Sequence, residues 1–233
     1  MAAAWQASGT LLGSTGADIT PVNPAHAIDD ILMLIAASRV TTETCLTPSG
    51  WTLKQGPISI STLFRAYLFW KRATSAAEAN PLCDWSAATG EKYGQVHNVR
   101  GAIDSGDPFA AFSMLGDLTD PILITGLATT LPNQRVIVIG IGNDNASASV
   151  VVSSTDPATY AQNHFSTIAT GADATGSFHS AIRTAAGATG NITLDHNSTM
   201  PAEIVFAAAM LDPVTGGPAI TRRRSGDRFL TRR

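Results

Sequence analysis

The chain has 233 residues and a mass of 24.2 kDa, with a formal net charge of −3; 14% of its residues are charged and 44% are hydrophobic. That balance excludes wholesale disorder and leaves room for one large domain, an all-β sandwich of this length being commonly a single unit. The longest apolar stretch, Ile31 to Ala37, falls far short of the roughly 20 residues that cross a bilayer, and MAAAWQASGTLLG lacks the pattern of a secretion signal, so the expectation is a protein made in the cytoplasm with no membrane partner.

In chain order, Ile28 to Ser38 is a near-continuous apolar run that suits a strand covered on both faces or a short buried helix, which period alone does not separate. Pro48-Ser49-Gly50 then supplies turn chemistry. Trp51 follows that turn and is predicted to plug one end of the interior, its indole N–H reaching a backbone carbonyl. From Leu63 to Arg72, Leu63, Arg65, Tyr67, Phe69 and Lys71 alternate with Phe64, Ala66, Leu68, Trp70 and Arg72, and the enrichment in aromatic and branched residues makes this segment the clearest strand. Further strands are predicted at 95–100, 122–125, 136–141, 148–153, 178–184, 192–195 and 202–211, with Gly-, Asn- and Asp-rich turns between them. Asp156 to Phe165 reads as one or two helical turns or as a long loop. No fixed-period repeat is evident, which argues against solenoids and propellers. The fold class expected is all-β: an antiparallel β-sandwich, jelly-roll-like, over residues 1–212.

Pro213 to Pro218 has the composition of a hinge, so 213–233 is expected to be a separate arm. The arm holds Arg222, Arg223, Arg224, Arg228, Arg232 and Arg233; with Asp227 these leave +5 after Ile220 and −8 before it. Arginines make bidentate contacts to phosphates or carboxylates. Three readings stand: a grip on nucleic acid, an arm crossing a neighbouring subunit with Phe229 and Leu230 as apolar anchors, or a solubilising terminus. Protein contact is favoured over nucleic acid, because an acidic body repels a duplex and Phe229-Leu230 suits docking on protein.

Chemistry is sparse. Cys45 and Cys83 lack metal or redox spacing and are expected to be free thiols. His26, His97, His164, His179 and His196 form no HxH or HxxxH pair, so no metal ligand set and no cofactor is expected, and surface or hydrogen-bonded histidines are predicted. Gly140-Ile141-Gly142 lacks the third glycine and the following helix of a dinucleotide loop. The pairs Asp29-Asp30, Asp104 with Asp107 and Asp117 with Asp120 resemble glycosidase carboxylates only in number; each borders a turn, where Asp caps backbone groups. Trp5, Trp85 and Tyr93 are the candidates for stacking on a glycan.

The segments AxDDILMLIAASR, TPSGWTLKQG and FWKRAT, the stretch Val96 to Asp104 followed by Pro108-Phe109, and the closing AEIVFAAAML together resemble accessory proteins encoded among the structural genes of tailed bacteriophages and prophages. The resemblance covers most of residues 5 to 212 and excludes the arginine-rich end. It implies a non-enzymatic virion component, a capsid decoration or neck or tail accessory made in the host bacterial cytoplasm. Its expected partners are other virion proteins and further copies of itself. A host-surface glycan is the alternative partner, and no catalytic residue is carried over.

Overall fold

The structure, a computed structural model, describes residues 3–144, 149–169, 173–196 and 202–212. Six strands come from the first half: β1 (Ala4–Ser8), β2 (Leu12–Thr15), β3 (Ile31–Ser38), β4 (Thr52–Ile60), β5 (Phe64–Arg72) and β6 (Glu91–Arg100). The second half supplies β7 (Phe109–Asp117), β8 (Ile122–Ile124), β9 (Ala128–Thr129), β10 (Gln134–Gly142), β11 (Val151–Ser153), β12 (Ala161–Ile168), β13 (Ala174–Arg183), β14 (Gly187–Ala188), β15 (Ile192–Asp195) and β16 (Glu203–Met210). Every pairing is antiparallel. Among the described residues there is no helix, and so none long and apolar enough to cross a membrane.

Two sheets build the all-β sandwich. One runs β1-β6-β3-β5-β4, with β2 also on β6; the other runs β12-β13-β10-β16-β7. The side-chain period of two sends alternate residues of the central strands to opposite faces. In β3, Ile31, Met33, Ile35 and Ala37 enter the core between the sheets while Leu32, Leu34 and Ala36 enter a second cluster outside. In β10, Ile137, Ile139 and Ile141 face the inter-sheet core and Val136 and Val138 a third cluster. Both outer faces are therefore covered. Segments bearing Ile19, Cys45, Trp51, Cys83 and Trp85 cover the first sheet, and a small sheet ordered β11-β15-β8 covers the second.

The two main sheets follow the same path. Each begins with an edge strand (β1, β7), continues to its centre (β3, β10), adds two strands outward (β4 and β5, β12 and β13), and closes with a strand between centre and first edge (β6, β16). Across the sandwich β4 lies near β7, β5 against β16, β6 against β13 and β1 against β12. Each strand thus faces the partner of its counterpart, the arrangement of an isologous pair within one chain. The path completes one sheet before starting the next, unlike a jelly roll's Greek keys. No sequence period announced this repetition; it is carried by topology.

Several expectations need correction. The segment 156–165 is not helical: it leads into β12, an edge strand with a bulge between Gln162 and His164. The edge strands β1, β4 and β7 were not anticipated. Trp51 is buried next to Gly50, whose φ of 76° closes the turn, but its ring joins the cluster outside the first sheet, not the inter-sheet core. Its backbone N–H donates to the Pro48 carbonyl at 3.0 Å, while the indole N–H meets no backbone carbonyl among the described residues. Both cysteines are free and buried in this cluster, as expected; the neighbouring Cys45 thiol and burial push the Cys83 thiol well above the ordinary range.

The cover on the first sheet is fastened by an ion pair. Lys92 on β6 is fully buried and pairs with Glu43, itself 2% exposed. Glu43 also accepts from Ser38 Oγ at 3.1 Å and Thr89 Oγ1 at 2.5 Å, and Lys92 donates to the Thr89 carbonyl and lies 5.6 Å from the Trp85 ring centroid. Burial alone would raise the Glu43 carboxyl, but Lys92, Thr89 and Ser38 together hold it below its usual range. Removing one member of such a pair strands the other in low dielectric, whereas replacing both with apolar groups leaves no charge behind. Lys92→Met is expected to cost about 3–5 kcal/mol in urea unfolding, and Lys92→Met with Glu43→Leu to recover most of that loss; equal losses in the two variants would show that the pair does not fasten the cover.

Candidate functional site

The arm residues Arg222, Arg223, Arg224, Arg228, Phe229, Leu230, Arg232 and Arg233 lie outside the described residues. Two of the three rings expected on the surface are interior. Trp85 is 5% exposed and packs edge-on against Tyr67 at 5.9 Å; Tyr93 has no exposed area and tilts against Phe64 at 6.1 Å in the inter-sheet core. Neither can present a face to a sugar, because strand alternation and the loop cover place each within an apolar cluster. Trp5 is half-buried on β1, its Nε1–H donating to Ser8 Oγ at 3.1 Å.

Most carboxylates do what turn-bordering acids are expected to do. Asp30 is buried and accepts from Ala27 N, Asn98 Nδ2 and, in bidentate fashion at 2.8 and 2.9 Å, Arg100. This pair borders a shallow depression of about 370 Å³ that Asp29 and Asp104 also line. Asp107 accepts from Phe109 N and pairs with Lys54; Asp117 accepts from Leu118 N and Thr119 N. Asp120 is different.

The histidines depart further from expectation, because three of the five are interior. His97 is fully buried, its Nδ1 2.7 Å from Ser8 Oγ and its ring 5.0 Å from that of Phe178; burial, then the charge of His164, pushes it down to about 3. Ser8 Oγ accepts from the Trp5 indole and shares a second hydrogen bond with His97 Nδ1, whose direction depends on the histidine tautomer. A serine–histidine pair whose base is this weak, with no third group orienting the ring among the described residues, is a core hydrogen bond and not an activated nucleophile.

The second histidine cluster lies between the outer face of the second sheet and the small sheet that covers it. Glu203 opens β16 opposite Gly142 of β10 and Asp117 of β7. His196 follows β15, and Asp120 stands in the turn before β8. Topology brings the three together: one ligand-capable atom from each lies within 4.8 Å of the others. His196 Nδ1 is 2.8 Å from Glu203 Oε1, although the ring N–H does not align with the oxygen as a hydrogen bond would require. Asp120 Oδ1 accepts from the His196 backbone N–H at 3.0 Å. His196 and Glu203 are 0% and 1% exposed, Asp120 half-buried. Burial pushes the Glu203 carboxyl up to about 7 against the pull of His196, with Asp120 and Asp195 adding to the rise.

The surroundings are polar but poorly paired. Among the described residues, neither Glu203 oxygen completes a hydrogen bond, and the buried Ser177 hydroxyl and both ring nitrogens of His179 find no partner. Burial, then the charge of His196, pushes His179 down to about 4. Gly140 permits this crowding. A Cβ there would lie 3.0 Å from Ser177 Oγ and from Leu194 Cδ1, and 3.5 Å from Glu203 Oε1, so any larger residue would displace the polar groups. No spacing rule announces the cluster, since Asp120 and His196 are 76 positions apart.

Acids away from this cluster govern behaviour at low pH. The Lys71 ammonium at 2.5 Å, then the Thr74 donors, hold Glu78 down at about 2 from 4.5 despite partial burial. A carboxyl depressed in the folded state contributes stability fully present above its unfolded value and lost as pH falls through its folded value. Stability is therefore expected to drop between about pH 4.5 and 2, and Glu78→Gln to be less stable at pH 7 with a shallower acid limb, as read by thermal unfolding across that range; an unchanged limb would contradict the assignment. Compared with known proteins, the chain matches no family model, no curated protein and no solved structure.

Proposed function

We propose that the protein is a non-enzymatic structural component of a tailed-phage particle, a capsid decoration or a neck or tail accessory. It binds neighbouring virion proteins and further copies of itself through its sandwich surfaces and terminal arm. The observation that carries this reading is where the large aromatic side chains go: Trp51, Tyr67, Phe69, Trp85 and Tyr93 are all buried in packing clusters. Rings spent on packing are unavailable to bind a ligand, and binding pockets are typically lined by such rings around a few convergent polar groups. A composition low in charge, with exposed apolar residues such as Leu46, Leu118 and Leu131, suits contact with other proteins.

The glycan-binding alternative loses two of its three rings to burial and rests on Trp5 alone. A single half-buried indole already hydrogen-bonded to Ser8 is a poor platform for a sugar.

The test is made on particles. Mass spectrometry of purified virions from cells expressing the full chain or a chain lacking residues 219–233 should find the full chain in stoichiometric amount and the truncated chain at reduced occupancy. Absence of the full chain from particles would overturn the proposal, and equal occupancy of both forms would remove the arm from it.

A further inference from the structure

We infer that Asp120, His196 and Glu203 form a binding site for one divalent transition-metal ion, Zn²⁺ being the best match, which staples the small outer sheet to the sandwich. Donor chemistry comes first. Imidazole nitrogen with two carboxylates suits Zn²⁺ or Mn²⁺, whereas Ca²⁺ seeks six to eight oxygens and Mg²⁺ an octahedral shell rich in water.

Geometry comes second. Ligands bonded tetrahedrally at about 2.0–2.2 Å to a common ion lie about 3.3–3.6 Å apart, so atoms already within 4.8 Å of one another need close by about 1.5 Å at most.

The third observation is the unpaired polarity. The Glu203 carboxylate is 1% exposed, yet among the described residues neither of its oxygens accepts a hydrogen bond. An ionised carboxylate in such a place needs a cation, and the nearby Ser177 hydroxyl does not supply one. Asp120 is the least buried of the three and gives the ion a way in from solvent, with a coordination position left for water.

The role follows from which elements hold the ligands. Asp120 precedes β8 and His196 follows β15, two strands of the small sheet, while Glu203 belongs to β16 of the main sheet. An ion bound by all three joins the two layers at the polar end of their shared apolar packing, beside the His196–Glu203 and Asp120–His196 contacts. Binding to the folded state alone then raises stability by mass action.

The experiment uses the full chain, stripped with chelator and dialysed. Titration with Zn²⁺, and separately with Mn²⁺ and Ca²⁺, is followed by elemental analysis of bound metal and by thermal unfolding. About one equivalent of Zn²⁺ is expected, with a rise in Tm of about 5 °C or more at saturation and a weaker response to Ca²⁺. Asp120→Asn, at a half-exposed turn that tolerates change, and Glu203→Gln are each expected to lower Zn²⁺ affinity at least about tenfold. Asp117→Asn, which alters a neighbouring turn outside the cluster, should bind as the wild type does. Failure of the stripped chain to bind Zn²⁺ in millimolar excess would overturn the inference, and so would unaltered binding in both Asp120→Asn and Glu203→Gln.

Discussion

A strand with no exposed face cannot form the outside of anything. All eight residues of β3 and all eight of β16 are buried, so each main sheet must be covered on both sides. One side of each is met by the other sheet. The remaining side has to be met by the segments between strands, and they do so unequally: long loops carrying Trp51, Cys83 and Trp85 over the first sheet, and the β11-β15-β8 sheet over the second. Each fully buried Leu, Ile or Phe contributes about 1.5–3 kcal/mol relative to exposure, which is why the covers are kept although they cost chain entropy.

The polar chemistry follows from the same constraint. Covers made of loops and turns bring backbone and polar side chains into places that would otherwise be dry, and each group must find a partner. Over the first sheet this is solved internally, by Lys92 with Glu43 and the hydroxyls around them. Over the second, Glu203, His196 and Asp120 meet, and the Glu203 oxygens accept no hydrogen bond among the described residues. The two halves share one path but have filled the space outside their sheets with different chemistry, and an ion at the second position completes for it what Lys92 does for the first.

How much of this was legible depends on burial pattern. The central strands β3, β5, β10 and β16 show in the sequence because full burial demands apolar runs, and β5 adds aromatics on both faces: Phe64 and Trp70 inward, Tyr67 and Phe69 outward. The edge strands β4 and β12 do not, since half-exposed sequences such as TLKQGPISI and AQNHFSTI carry neither a clean alternation nor an apolar run. Trp51 was legible as buried but not as to which cluster, because a sandwich with covered outer faces has three interiors and the sequence pattern names none. The buried cluster was not legible at all. His196 and Asp120 have unremarkable neighbours in sequence, and only antiparallel pairing of β8 with β15 and of β7 with β16 brings them to Glu203.

The central claim is that the doubly covered strands hold the molecule together and that both halves unfold as one unit. Native-state hydrogen exchange resolved by residue tests it most directly. The account predicts that amides of β3, β10 and β16 are the slowest to exchange, with a common opening free energy equal to that of global unfolding, and that those of the edge strands β4 and β12 exchange sooner. Exchange of β3 as fast as β4, or distinct opening free energies for the two sheets, would contradict it.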